Sequence, residues 1–80
     1  MRYFVYVLLC EGGNYYTGIA TDVESRFHTH LSGKGAKYTR SFKPQKIIYT
    51  EECLDRSSAQ RREAEIKKLS HYAKSMLGLL

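Results

Sequence analysis

Tryptophan is absent from these 80 residues, proline occurs once, cysteine occurs twice, and no apolar run exceeds the eight residues from Tyr3 to Cys10. Each scarcity excludes something. A run of eight is far short of the roughly 20 residues that cross a bilayer. It has no basic stretch before it and no small-residue cleavage site after it, so neither a membrane span nor a signal peptide is expected. Cys10 and Cys53 lack the C-x-x-C spacing of a structural zinc site, which leaves buried free thiols, no disulfide and a reducing, cytoplasmic location as the expectation. One proline, moderate glycine and a 42% hydrophobic share exclude fibrous and disordered classes. Eighty residues suffice for one domain, spanning 1–80, and leave no room for a second.

Acid is scarce in one place only. The net charge is +5, yet in residues 1–25 Arg2 stands against Glu11, Asp22 and Glu24, and from Thr50 onward six basic residues face five acidic ones. Residues 26–49 contain Arg26, Lys34, Lys37, Arg40, Lys43 and Lys46, two histidines and no acid. A surplus concentrated in this way suits a surface that meets a phosphate backbone.

Tyr3–Cys10 is rich in β-branched and aromatic residues and is followed by Glu11-Gly12-Gly13-Asn14 and then Tyr15–Ile19, which reads as a β-hairpin. Both faces of its first strand are apolar, so that strand should be central, with helices covering it on two sides. Thr21 or Asp22 can cap a helix whose stripe is Val23, Phe27 and Leu31, with Gly33 as its stop. Arg26 and His30 sit one turn apart beside that stripe. Ser32–Pro44 reads as a loop and Lys46–Thr50 as a third strand. Ser57 with Gln60 has the spacing of a capping box for a second helix running to about Leu69, and Ser70 can cap a short final one. In the second helix, Glu63 falls between Ala59 and Ile66 on the apolar stripe, an anomaly that demands a reason. The expected fold is α+β, a small three-stranded sheet, antiparallel in its hairpin half, flanked by helices.

Phe4-Val5-Tyr6 on the first strand, Tyr16-Thr17-Gly18 on the second, Arg26 and His30 on the following helix and Glu63 on the later one together resemble the GIY-YIG nuclease superfamily. The run Gly33–Thr39 is similar to that of its small single-domain bacterial subgroup (UPF0213-like), related to the catalytic half of structure-specific nucleases. The resemblance covers nearly the whole chain. It implies a sheet flanked by helices, a scissile phosphate surrounded by Tyr6, Tyr16 and Arg26, and Glu63 as ligand of one divalent metal ion, Mg²⁺ or Mn²⁺. Two positions depart from the motif, Phe4 and Thr17, and both read as packing changes: Phe4 suits a strand better than Gly, and Thr17 should face away from Tyr16.

Phosphodiester hydrolysis needs an activated water, charge stabilisation on phosphoryl oxygens and help for the leaving oxygen. Arg26 offers a permanently charged planar fork matched to phosphate. Tyr6 would act as general base or proton relay, His30 would orient Tyr6 or shield the phosphate, and Tyr16 would position the water or the phosphate. The two tyrosines share a sheet face only in a register such as Tyr6 opposite Gly18. Lys34, Lys37, Tyr38, Arg40 and Lys43, with Phe42 interleaved and Lys67 on the later helix, suit phosphate contact and base stacking. The same features have plainer readings. Arg26 and His30 at i, i+4 fit a solvated helix face, and Glu63 can simply pair with Lys67.

The leading expectation is a metal-dependent DNA nuclease of low sequence preference in repair or recombination, acting on single-stranded or branched DNA rather than a specific duplex site. The alternatives are a nucleic-acid-binding module of the same fold that cleaves poorly, and a subunit that needs a protein partner docked on Met76, Leu77, Leu79 and Leu80.

Overall fold

The computed structural model describes residues 2–79, in the order β1 (Tyr3–Cys10), a short 3₁₀ turn (Glu11–Gly13), β2 (Asn14–Ala20), α1 (Val23–Leu31), α2 (Lys37–Ser41), β3 (Pro44–Cys53), α3 (Arg56–Lys67) and α4 (His71–Leu77). The sheet order is β2-β1-β3 and both pairings are antiparallel.

The two-faced apolarity of β1 makes it the central strand. Val5 and Val7 point to one face, where they meet Ala59 and Ile66 of α3 and Leu77 of α4. Tyr6 and Leu8 point to the other, where Val23 and Phe27 of α1 pack. Burying a side chain such as Ile66 contributes about 1.5–3 kcal/mol, so this double cover supplies most of the cohesion of a small chain. The β1–β2 register pairs Tyr6 with Gly18 and Leu8 with Tyr16, which puts both tyrosines on the α1 face, as the site requires. Thr17 pairs with Val7 on the opposite face and is buried.

Several local features differ from the sequence reading. The stretch Ser32–Pro44 contains a helix, α2, capped at Ala36 without a side-chain bond; five polar residues with no capping signal are invisible to pattern reading. α3 is opened not by Ser57 with Gln60 but by Asp55, whose carboxylate accepts from the Ser58 backbone N at 2.8 Å. It ends at Lys67. β3 runs to Cys53, past Thr50, because Glu51, Glu52 and Cys53 continue the ladder opposite Val5, Phe4 and Tyr3 of β1; the acidic side chains find partners there, Glu51 accepting from Arg62 at 3.0 Å and from the Tyr49 hydroxyl at 2.6 Å and Glu52 pairing with Arg2 at 3.3 Å. Asp22 caps α1 through Ser25 N, and Ser70 caps α4 through Ala73 N, both as expected. Cys10 and Cys53 are free and buried. Among the described residues no helix is long and apolar enough to cross a membrane.

Candidate active site

Tyr6 stands at the centre of the α1 face. A Cβ built on Gly18, its partner across the strands, would lie 2.6 Å from the Tyr6 hydroxyl oxygen and 3.1 Å from a ring carbon of Tyr16. Only a residue without a side chain lets both phenols pass over β2 at this point. The Tyr6 hydroxyl then reaches His30 Nε2 at 2.9 Å, a bond between residues 24 apart in sequence. The Tyr16 ring meets the same imidazole edge-on, with centroids 5.0 Å apart. Tyr6 and His30 are each 2% exposed, whereas Tyr16 is only half-buried.

Behind His30 lies a residue that sequence reasoning overlooked. Thr39, the only buried residue of α2, places its Oγ1 2.7 Å from His30 Nδ1 and 2.9 Å from the Ala36 carbonyl oxygen. Gly35 makes this approach feasible, since a Cβ there would collide with the His30 ring. The signal was the run Gly33–Thr39 itself, whose glycine and threonine serve the histidine of the preceding helix.

Charge converges on these rings from both faces of the sheet. β2 is an edge strand, and charged side chains of α1 on one face and of α3 on the other both act on Tyr16. Burial pushes the Tyr6 hydroxyl well above the ordinary phenol value; Tyr16 and Glu63 add to the rise and Arg26 opposes it. Tyr16 is raised by burial and by Glu63 and lowered by Lys67 and Arg26. His30 is held below its ordinary value of 6.5 by burial first and by the Arg26 guanidinium second, so it is neutral at pH 7. Arg26 and Glu63 thus act on both phenols, and Lys67 acts on Tyr16 as well.

Glu63 is 22% exposed, and its carboxylate pairs with the Lys67 ammonium at 3.3 Å, as its i, i+4 spacing allows. That ammonium shows that the carboxylate is placed to face a cation. Among the described residues, no group of three or more His, Cys, Asp or Glu gathers to hold a metal. One carboxylate, completed by waters and a substrate phosphate, is still a sufficient protein contribution for Mg²⁺ or Mn²⁺. The residues present therefore fit an ion that binds together with substrate.

Of the other positions singled out from sequence, Lys34, Lys37, Arg40 and Lys43 are exposed around α2. Lys43 is anchored through its backbone, donating to the Glu11 carboxylate and accepting from Glu11 N, each at 2.9 Å. Tyr38 packs on Tyr16 with centroids 6.0 Å apart and on Phe42 at 5.1 Å, forming a three-ring ladder that leads outward from the site. Tyr38 and Phe42 are 37% and 40% exposed. Lys67 approaches Tyr16 from α3, not from this ladder. In the C-terminal apolar set, Leu77 belongs to the core, Met76 and Leu79 are exposed, and Leu80 lies outside the described residues.

A three-stranded antiparallel sheet flanked by four helices, with titratable side chains gathered around its hairpin, defines a small α+β domain with a built polar site. The chain belongs to the GIY-YIG family, a nuclease fold family: residues 2–75 match its catalytic domain. It is 44% identical over 73 residues to the UPF0213 protein SH2523 of Staphylococcus haemolyticus, covering 91% of this chain and 89% of that one. The solution NMR structure of the UPF0213 protein BH0048 from Bacillus halodurans is similar with a TM-score of 0.58 and 44% identity, covering 96% of this chain and 82% of that one. That of the protein EF2693 from E. faecalis is similar with a TM-score of 0.60 and 40% identity, covering 95% and 86%. Nucleases of this family generally depend on a divalent metal ion.

Proposed function

We propose that this chain is a metal-dependent nuclease that hydrolyses DNA phosphodiester bonds with low sequence preference, serving repair or recombination. The observation that carries the reading is the Tyr6–His30 hydrogen bond beside Tyr16, on which the charges of Arg26, Glu63 and Lys67 also converge. A structural tyrosine does not need a neutral imidazole partner and two charged neighbours of opposite sign.

In this reading the attacking water gives its proton to the Tyr6 oxygen as Tyr6 hands its own proton to His30 Nε2. The raised Tyr6 value favours this relay over a free phenolate, because the phenol never has to exist as an anion. The depressed His30 value keeps the imidazole able to accept near neutral pH. Burial of the pair shields the moving proton from bulk water. Arg26 and the half-exposed Tyr16 hold the phosphate, the guanidinium countering charge that develops on its oxygens. A divalent ion bound by Glu63 would supply Lewis acidity toward the phosphate and the leaving oxygen.

The Tyr16–Tyr38–Phe42 ladder, flanked by Lys37, Arg40 and Lys43, supports unpaired bases near the cut: aromatic faces stack on any base, while a stacked duplex offers none along its length. Single-stranded, flapped or branched DNA is therefore the proposed substrate class.

The test is cleavage of labelled single-stranded, duplex, flapped and branched DNA with Mg²⁺ or Mn²⁺, comparing wild type with Glu63→Ala and Tyr6→Phe. Metal-dependent cutting lost in both variants is the expected result. Equal DNA binding by all three proteins with no cutting of any substrate would replace the reading with that of a binding module.

A further inference from the structure

The hydrogen bonds around His30 have a polarity that can be worked out atom by atom. Thr39 Oγ1 lies 2.9 Å from the Ala36 carbonyl oxygen and 2.7 Å from His30 Nδ1. A carbonyl only accepts, so the arrangement in which all three contacts are hydrogen bonds at once has the single hydroxyl proton of Thr39 on the Ala36 side. Toward His30 the same oxygen can then only accept, and Nδ1 must carry a proton. A neutral imidazole has one N–H, so Nε2 presents a lone pair, and across the 2.9 Å contact the Tyr6 hydroxyl donates. All three bonds point the same way, from Tyr6 through His30 and Thr39 to the backbone at the start of α2.

We propose that Thr39 is a positioning residue: its hydroxyl locks His30 in the Nδ1–H tautomer and thereby commits Nε2 to accept the Tyr6 proton. With the opposite tautomer, Nε2–H would donate to Tyr6, and the phenol proton would have no acceptor on His30, whose lone pair would face Thr39 instead. Exchange between the two states is opposed by burial, since Tyr6, His30 and Thr39 are each 2% exposed and bulk solvent does not compensate a partner lost at His30 or Thr39. Among the described residues no buried side-chain nitrogen or oxygen lacks a hydrogen-bond partner, so the three groups form one closed chain. Threonine suits the role because its branched Cβ restricts χ1 and so aims the hydroxyl. Gly35 completes the clamp by letting the backbone before α2 close onto the imidazole.

The tautomer stands by itself, whereas its catalytic consequence rests on the nuclease reading, and the experiment separates them. In the ¹⁵N-labelled full chain without substrate, long-range ¹H–¹⁵N spectra at neutral pH should show His30 with Nδ1 protonated and Nε2 bare. Thr39→Val, which keeps the shape and removes the hydroxyl, should show a mixture of tautomers, and Thr39→Ser should restore the single one. In Mn²⁺-dependent cleavage of flapped DNA, Thr39→Val should lower kcat about tenfold or more with KM unchanged, and Thr39→Ser should recover it. An Nε2–H tautomer in the wild type would overturn the proposal, as would an unaltered Nδ1–H tautomer in a folded Thr39→Val. A tautomer shift with unchanged kcat would overturn its catalytic part. If the shift and its rescue occur but no protein cuts any DNA, the positioning role is supported and the nuclease reading falls.

Discussion

The Tyr6 hydroxyl passes directly over Gly18, where one added carbon would stand 2.6 Å from its oxygen. The glycine and the phenol are therefore a matched pair, and the site depends on a residue that takes no part in chemistry. Gly18→Ala is expected to displace Tyr6 from His30, cost about 1–3 kcal/mol of stability through overpacking, and lower cleavage at least tenfold. Thermal unfolding and cleavage rates on one preparation check both effects. A variant of wild-type activity would mean that Tyr6 moves without consequence.

The proposed reading gives the two phenols different roles. If Tyr6 relays the proton, Tyr6→Phe should lower kcat by about 10²-fold or more, since that is the usual range for general acid–base catalysis. Tyr16→Phe should chiefly weaken phosphate positioning. Single-turnover rates and DNA affinities for both variants make the comparison. A Tyr6→Phe enzyme that keeps most of its rate beside a dead Tyr16→Phe enzyme would move the proton-accepting role to Tyr16.

Lys67 competes for the carboxylate that would hold the metal, standing 3.3 Å from Glu63. A half-exposed pair of this kind is worth about 0.2–1 kcal/mol. Lys67→Met should thus raise Mn²⁺ affinity by roughly one- to fivefold in titration calorimetry. If Lys67 also meets a phosphate, as proposed from the sequence, the same change should lower DNA affinity and flatten the salt dependence of binding by about one ion. Glu63→Gln should abolish the calorimetric metal signal, and its survival would place the ion elsewhere.

The pH behaviour follows from His30. Its folded value lies below the ordinary 6.5, so between the two values the unfolded chain binds the extra proton and the folded chain does not. Stability is accordingly expected to hold steady above about pH 6.5 and to decline as pH falls through that value toward the folded one. Cleavage should lose its rate at lower pH still, as pH falls through the folded value and the acceptor becomes protonated. Tyr6 has the opposite sense: raised when folded, it costs stability as pH climbs above 10. Denaturant titrations of wild type and His30→Gln measure the first effect, and an unchanged acid slope in the variant would assign it to another group.

The aromatic ladder makes a prediction about substrate class. Tyr38→Ala and Phe42→Ala should each weaken binding of single-stranded DNA by about 1–3 kcal/mol and leave duplex binding nearly unchanged. Fluorescence anisotropy with matched oligonucleotides distinguishes the two, and equal losses on both forms would reduce the ladder to a covering of Tyr16.

Sequence alone determined what depends on local order and on pattern. The two-faced apolarity of β1, the hairpin, the Asp22 and Ser70 caps and the place of Glu63 on an apolar stripe are all periodicities of two or of 3.6, and they constrain the elements whatever surrounds them. The Tyr6–Gly18 register was legible too, because two tyrosines meant for one site must share a face. Tertiary structure decided what depends on proximity between distant segments. The length of β3 is set by its pairing with β1 as far as Tyr3, and the ion pairs of Glu51 with Arg62 and Glu52 with Arg2 have no local signature either. The partnership of Tyr6, His30 and Thr39 joins a strand, a helix and a short helix that no pattern announced. Which phenol is buried and which way the imidazole faces are matters of distance and desolvation, and those exist only once the chain has closed on itself.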